Sequence, residues 1–174
     1  MNRYTVSMFA IVHPVLCAVA GWNLLAWLGR KSRPRTWRDL PENIIKIIDE
    51  YSYDDTSKET ISQIKHRHLQ IKDMDERKSV LQSCYLSVAI DYFVNRDYRY
   101  ALRSIKQAEN AYRHLLKADQ GYRRKAESLH YYTCLLWGII MYLKGYDRQA
   151  GYRLKKCLKS GHDPAIEKFI ATLK

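Results

Sequence analysis

The side chains that could carry out chemistry in this chain are two neighbouring histidines, four cysteines and three pairs of acidic residues. His66 and His68 are two positions apart, so a helix places their imidazoles on different faces, which is poor geometry for one metal ion. The acidic pairs fall at expected helix ends, where carboxylates cap a helix or complement its dipole. They are Asp49-Glu50, Asp54-Asp55 and Asp75-Glu76. No GxxxxGK[ST], GxGxxG, GxSxG or HExxH motif occurs, so we expect no catalytic site, no metal site and no cofactor.

The cysteines are spread over the whole chain. They are Cys17, Cys84, Cys134 and Cys157, without a CxxC pair. We expect no histidine to accompany them as a metal ligand, and the pattern agrees with a reducing compartment. The sequence therefore predicts that these cysteines pack as small apolar side chains.

An apolar run at the beginning of the chain is expected to anchor and orient the rest of the protein. Thr5 to Leu28 are 24 residues without Asp, Glu, Lys or Arg, and a cluster of cations follows. A helix of this length spans about 36 Å, enough to cross a hydrocarbon core of roughly 30 Å. Residues 1–29 are therefore predicted to be a transmembrane anchor and residues 30–39 a basic juxtamembrane linker. The linker residues expected to contact anionic lipid headgroups are Arg30, Lys31, Arg33, Arg35 and Arg38.

The same cations predict the orientation of the chain. They outnumber the positive groups before the apolar run, so the C-terminal flank should stay on the cytosolic side of a single-pass protein. A cleaved signal peptide is an alternative, because Ala18-Val19-Ala20 before Gly21 has the form that signal peptidases accept. In that case the domain is exported. A buried or interfacial helix is a third possibility.

The rest of the chain has the periodicity of helices and no alternating strand pattern, which predicts an all-α fold. Asp39, with Pro41 and Glu42, is expected to cap the first helix, and Asp75 to begin a longer one. Asp163-Pro164 is expected to start the last helix. The predicted helices cover residues 40–53, 57–72, 75–95, 97–117, 120–144, 147–159 and 163–173.

Two stretches of the chain share one pattern of large, small and aromatic residues. The first is Tyr85, Val88, Ala89, Tyr92, Tyr98, Ala101, Ile105 and Ala108; the second is Cys134, Trp137, Gly138, Met141, Gly145, Ala150, Leu154 and Cys157. This pattern resembles the tetratricopeptide repeat, in which small residues allow close helix crossing. It departs from that family in Cys134, in the missing closing proline and in a spacing of 49 residues, from Ala101 to Ala150, instead of about 34.

The resemblance implies a helical repeat domain over residues 40–174. Its repeats are expected at about 82–115 and 131–164, with residues 163–173 as the capping helix and residues 40–72 as a degenerate first unit. The inward-facing offsets of the family give an apolar groove formed by Leu86, Ile90, Phe93, Leu135, Ile139 and Tyr142. Either an amphipathic helix of a partner binds there, or the chain's own residues 40–53 fill it.

The charge of the chain limits its function to a few classes. The net charge is +12, concentrated in the linker and in the repeat helices. We expect a membrane-anchored adaptor or assembly subunit, not an enzyme, that binds an amphipathic helix or an acidic surface of a protein partner. The alternative is a membrane-tethered regulator that binds nucleic acid through its basic face, with interleaved tyrosines as stacking groups. These tyrosines are Tyr98, Tyr100, Tyr112 and Tyr122, and several occupy repeat-packing positions, which disfavours nucleic acid.

Overall fold

The computed structural model describes residues 35–46, 69–161 and 163–173, all of which belong to one compact unit, Arg33–Lys174. These residues form helices and connecting turns without a β-strand, so the all-α prediction is confirmed for this part of the chain. A 3-10 turn, Trp37–Asp39, precedes a helical stretch at 42–46. The α-helices that follow are α1 (Met74–Val94), α2 (Tyr98–Leu115), α3 (Gln120–Leu143), α4 (Asp147–Ser160) and α5 (Pro164–Thr172).

The transmembrane anchor was expected in residues 1–29, which lie outside the described residues. Of the helix expected at 57–72, residues 57–68 also lie outside them. Within the described ranges, no helix combines the length and the apolar character needed to cross a membrane.

Two helix starts differ from the prediction. Asp39 does not cap a helix directly: its carboxylate accepts the backbone N–H of Thr36 at 2.6 Å and closes the 3-10 turn. Leu40 is extended because it precedes Pro41, and helical residues begin only at position 42. Further along, α1 begins before the predicted Asp75, because the side chain of Asp73 accepts the backbone N–H of Asp75 at 2.7 Å.

The last helix starts as predicted. The carboxylate of Asp163 accepts the backbone N–H of Ala165 at 2.8 Å, and Pro164 occupies the first turn of α5, where its missing N–H costs nothing. The predicted bounds of the other helices in the described range lie within two residues of the observed ones.

The helices pack as two hairpins, α1 with α2 and α3 with α4. Each hairpin turns through one residue with a positive φ angle: Arg96 at 62° in the first and Gly145 at 80° in the second. Only glycine adopts this conformation without a steric penalty, so Arg96 is strained where its counterpart is not. The two positions are 49 residues apart, the same interval that separates Ala101 from Ala150.

The hydrogen bonds of the two turns are equivalent as well. The N–H of Asp97 donates to the carbonyl of Tyr92 at 2.8 Å, and 49 residues later the N–H of Tyr146 donates to the carbonyl of Met141 at 2.8 Å. Both bonds close the six-residue loop that ends a helix in the Schellman geometry. The backbone therefore repeats across the two hairpins where the sequence pattern repeats.

The second hairpin is held by a close helix crossing at Gly138. A Cβ atom added there would lie 2.7 Å from Leu154 Cγ and 3.4 Å from the carbonyl oxygen of Ala150. Only glycine allows α3 and α4 to approach this closely, as the pattern of small residues predicts. Leu154 and Ala150 are both completely buried.

Candidate functional site

The six residues predicted to line an apolar groove lie together in the structure. Leu86, Phe93 and Ile139 are completely buried, and Ile90 and Leu135 nearly so. All five belong to one hydrophobic core that runs through both hairpins, and the half-buried Tyr142 packs against it.

The segment at 35–46 lies over these residues. Leu40 and Ile44 are buried in the same core, and the rings of Trp37 and Phe93 are 5.1 Å apart. The hydroxyl of Tyr142 donates to the backbone carbonyl of Asp39 at 3.3 Å. This arrangement corresponds to the alternative in which the chain's own residues 40–53 fill the groove; of those, residues 40–46 are described.

Arg35 fastens the beginning of this segment to the second hairpin. Its guanidinium donates to both carboxylate oxygens of Asp147, with Nη2 and Oδ2 3.0 Å apart, and lies 4.1 Å from the ring centre of Tyr142. Its backbone N–H donates to the carbonyl of Leu143 at 2.8 Å. A bidentate pair of this kind is directional and stronger than a simple surface ion pair. Of the other linker cations, Arg38 is exposed, and Arg30, Lys31 and Arg33 lie outside the described residues.

A second concave surface, which we call the α2–α4 cleft, remains open. Its volume is about 520 Å³, and α2, α3 and α4 contribute to its walls. Its lining consists of Glu109, Tyr112, Arg113, Leu116, Glu127, His130, Lys156, Lys159 and Ser160. Glutamates and cations thus share the cleft with one exposed leucine.

The charges of this cleft are not balanced. Glu127 pairs with Arg123 at 3.1 Å, and Glu109 pairs with Arg113 at 3.6 Å. Neither Lys156 nor Lys159 forms an ion pair with another of the described residues. The cleft therefore presents an excess of positive charge to solvent.

The surface next to the cleft combines cations with aromatic rings. The guanidinium of Arg153 lies 3.3 Å from the ring centre of Trp137, and Nζ of Lys156 lies 5.1 Å from that of Tyr152, which is 58% exposed. Such contacts hold the cations in place and leave their charge accessible.

Three of the tyrosines considered as stacking groups for bases are engaged within the protein. Tyr112 stacks on His130, Tyr98 packs against Phe93, and Tyr100 stacks on Tyr92. These contacts within the protein weaken the case for base stacking.

The floor of the cleft contains a buried polar cluster, formed by Glu109 of α2 with His130 and Cys134 of α3. His130 Nδ1 lies 3.2 Å from Glu109 Oε2, and Cys134 Sγ lies 3.3 Å from His130 Nε2. The ring of Tyr112 stacks on the imidazole with 3.8 Å between the centroids and 6° between the planes. Glu109 is 5%, His130 7% and Cys134 0% exposed.

The environment shifts the proton affinities of two members of the cluster. Burial opposes ionisation of Glu109, but the adjacent His130 outweighs it with help from Arg153 and Lys156, so the pKa of Glu109 is lowered. Burial and the neighbouring charge of Glu109 raise the pKa of the Cys134 thiol to about 12. At neutral pH the cluster therefore combines a carboxylate with a protonated thiol.

This sequence of groups has the order of a cysteine, histidine and acid triad, but its geometry does not support nucleophilic catalysis. Sγ is also 3.9 Å from Nδ1, so it lies beside the imidazole ring and not along the lone pair of Nε2. The thiol is completely buried and protonated, whereas a reactive cysteine is an accessible thiolate.

Reasoning from the sequence missed this cluster. Cys134 and Cys157 are completely buried, as expected, and Cys84 is partly buried, while Cys17 lies outside the described residues. The expectation that no histidine accompanies a cysteine was wrong: His130 and Cys134 are four positions apart on α3 and share one face. That spacing was readable from the sequence, whereas the approach of Glu109 depends on how α2 packs.

Comparisons with protein-family models, with curated proteins and with solved structures found no match for this chain. The likeness to tetratricopeptide repeats therefore stays a prediction from the sequence pattern, and function has to be argued from the contacts described above.

Proposed function

We propose that this protein is a membrane-anchored adaptor or assembly subunit whose tetratricopeptide-like domain binds an acidic segment of a protein partner in the α2–α4 cleft. The observation that supports this most is the contrast between the two concave surfaces. The apolar groove holds the chain's own residues 35–46, whereas the cleft is open and carries Lys156 and Lys159 without ion-pair partners among the described residues.

The chemistry of the cleft matches carboxylate side chains. The two lysines and Arg113 offer several N–H donors, and charge-assisted hydrogen bonds to carboxylates are about twice as strong as neutral ones. The net charge of +12 steers an acidic partner toward the domain before contact. Leu116, which is 39% exposed at the cleft, supplies an apolar contact beside these charges.

A protein partner fits this cleft better than nucleic acid, the alternative class. Glu109 and Glu127 lie among the lining residues, and their carboxylates would repel a continuous phosphate backbone. Tyr112, which lines the cleft, stacks on His130, and Tyr100 stacks on Tyr92. An acidic peptide can place its carboxylates opposite the lysines and avoid the two glutamates.

The proposal also includes the N-terminal membrane anchor predicted from the sequence. The 24 uncharged residues from Thr5 to Leu28 and the cations that follow favour a single-pass protein with its domain in the cytosol. Tethering confines the domain close to the membrane, which raises its effective concentration toward partners in the same membrane.

Charge reversal tests this function. The full-length protein and the variant Lys156→Glu/Lys159→Glu are crosslinked in native membranes, and the attached peptides are identified by mass spectrometry. We expect acidic peptides of a membrane-complex partner with the wild type and at least a tenfold loss with the variant. The matched control is Lys72→Glu/Lys168→Glu, which changes the charge equally at two exposed lysines outside the cleft.

Three results would contradict the proposal. The first is equal crosslinking by the cleft variant in a folded protein, with folding checked by circular dichroism. The second is an equal loss in the control variant, which would mean that only total charge matters. The third is loss of the crosslinks after nuclease digestion, which would favour the alternative of a nucleic-acid-binding regulator.

A further inference from the structure

We infer that Glu109, His130 and Cys134 form a binding site for one divalent transition-metal ion, and that their donor chemistry selects Zn²⁺. Each residue offers one ligand atom, and these atoms all lie within 4.8 Å of one another. Two helices supply them, so the site exists only in the folded domain.

The separations of the donor atoms fit one small ion. With zinc bonds of about 2.0–2.1 Å to nitrogen and oxygen and about 2.3 Å to sulfur, tetrahedral coordination places N and O about 3.3 Å and N and S about 3.6 Å apart. His130 Nδ1 lies 3.2 Å from Glu109 Oε2 and 3.9 Å from Cys134 Sγ. Because Sγ lies beside the ring, rotation of the Cys134 side chain is the movement that completes coordination.

The second carboxylate oxygen of Glu109 has room for a better partner than the one beside it. Glu109 Oε1 pairs with Arg113, whereas the completely buried Oε2 lies 3.2 Å from His130 Nδ1 without a hydrogen bond of normal geometry. Buried carboxylate oxygens are stabilised by well-aligned partners. A metal ion between Oε2 and Nδ1 satisfies both atoms.

The surrounding residues hold the ligands in place. The ring of Tyr112 is nearly parallel to the imidazole of His130 and restricts its rotation. His130 and Cys134 are one helical turn apart, a spacing that places two ligands on the same face of a helix. The site is thus preorganised by α3 and closed by one residue of α2.

The identity of the ion follows from the donors. A hard carboxylate, a borderline imidazole and a soft thiolate together suit the borderline-soft Zn²⁺ ion, whereas Mg²⁺ and Ca²⁺ prefer oxygen donors alone. On binding, the Cys134 thiol releases its proton to solvent, since a coordinating thiol is deprotonated outright, and His130 Nδ1 gives up any proton it shares with Glu109. The charges of the thiolate and the Glu109 carboxylate then balance the ion, which makes its burial tolerable.

The fourth coordination position faces the α2–α4 cleft. Glu109 and His130 line the cleft, and the completely buried Cys134 lies behind them. A water molecule from the cleft can therefore complete the coordination, as in zinc sites that have three protein ligands.

Cobalt is the probe for this inference, because a Co²⁺–thiolate bond gives a charge-transfer absorption in the near ultraviolet. Full-length protein in detergent is stripped with a chelator and titrated with Co²⁺ and then with Zn²⁺. We expect the absorption to saturate at one equivalent of Co²⁺ and to disappear when Zn²⁺ displaces it. Zinc should also raise the melting temperature, since it binds the native state.

Variants assign the ligands. Cys134→Ser should abolish the absorption, and Glu109→Gln should weaken Co²⁺ binding at least tenfold. The matched control is Cys157→Ser, at an equally buried cysteine outside the three-residue cluster, which should leave the absorption unchanged.

The inference is wrong if the wild type shows no saturable absorption, or if Cys134→Ser retains it while Cys157→Ser or Cys84→Ser loses it. If Cys134→Ser does not fold, Glu109→Gln decides, because unchanged Co²⁺ affinity in that variant excludes the carboxylate as a ligand. None of these results depends on whether the cleft binds a protein partner.

Discussion

Replacing Gly138 by alanine adds one methyl group at the closest contact between α3 and α4. The new Cβ would lie 2.7 Å from Leu154 Cγ and 2.8 Å from Leu154 Cδ2, well inside normal carbon–carbon contact. Leu154 is completely buried, so its packed neighbours restrict its movement. We therefore expect the helices to separate slightly or Leu154 to take a strained rotamer.

Two opposing effects determine how much Gly138→Ala changes the free energy of unfolding. Overpacking of a core costs about 1–3 kcal/mol, while alanine in place of glycine within a helix gains about 0.5–1 kcal/mol. Gly121, in the first turn of α3, gives a lower bound for the second effect, because a Cβ there meets nothing within 4 Å. Gly121→Ala should therefore stabilise the protein, and Gly138→Ala should be less stable than Gly121→Ala by about 1–3 kcal/mol.

Chemical denaturation followed by circular dichroism in detergent measures both unfolding free energies. A double-mutant cycle with Leu154→Ala sharpens the test, because the smaller side chain makes room for the added methyl group. We expect Gly138→Ala to cost little in that background, with a coupling of about 1–3 kcal/mol. Gly138→Ala as stable as Gly121→Ala, or additive effects in the cycle, would refute the close crossing at Gly138.

The remaining predictions concern the turns, the Arg35 ion pair and the core. Arg96→Gly should raise the free energy of unfolding by about 0.5–1 kcal/mol, because glycine adopts a positive φ without strain. Gly145→Ala should lower the free energy of unfolding by about 1 kcal/mol, because alanine is strained at a positive φ. Changes of the same sign at the two turns would contradict this. Arg35→Ala should remove the pair with Asp147 at a cost of about 1–3 kcal/mol and speed amide hydrogen exchange in residues 35–46; unchanged exchange would argue against this clamp. Ile139→Asp should unfold the domain, as measured by circular dichroism, because Ile139 is completely buried; a folded variant would show that the groove is open.

Local signals in the sequence predicted most of the helices. The apolar spacing and the capping residues gave bounds close to those observed for α2 to α5, and Asp163 caps α5 as expected. The repeat pattern also identified Gly138 as a position where a helix crossing requires a small residue. In the structure a Cβ atom at Gly138 would collide with Leu154. These signals depend on neighbours along the chain, so one sequence suffices to read them.

The features that were missed have two kinds of cause, a competition between local rules and a contact between distant residues. Asp39 was expected to cap a helix, but the effect of Pro41 on Leu40 moves the helix start, which is a competition between two local rules. The buried cluster needs Glu109 of α2 beside His130 of α3, and nothing in the spacing of these residues indicates their contact. The burial of Ile44 against the hairpins, by contrast, agrees with the predicted alternative in which residues 40–53 fill the groove.

Site-specific photocrosslinking at the α2–α4 cleft tests the proposed function most directly. A benzophenone side chain replaces Leu116, which lines the cleft, or Val94, which is exposed at the end of α1 and serves as the control. We predict that only the Leu116 position crosslinks in native membranes to an acidic segment of a protein partner, and that Lys156→Glu/Lys159→Glu removes the product. Equal crosslinking from Val94, a product that survives the charge reversal, or attachment to nucleic acid would contradict the proposal.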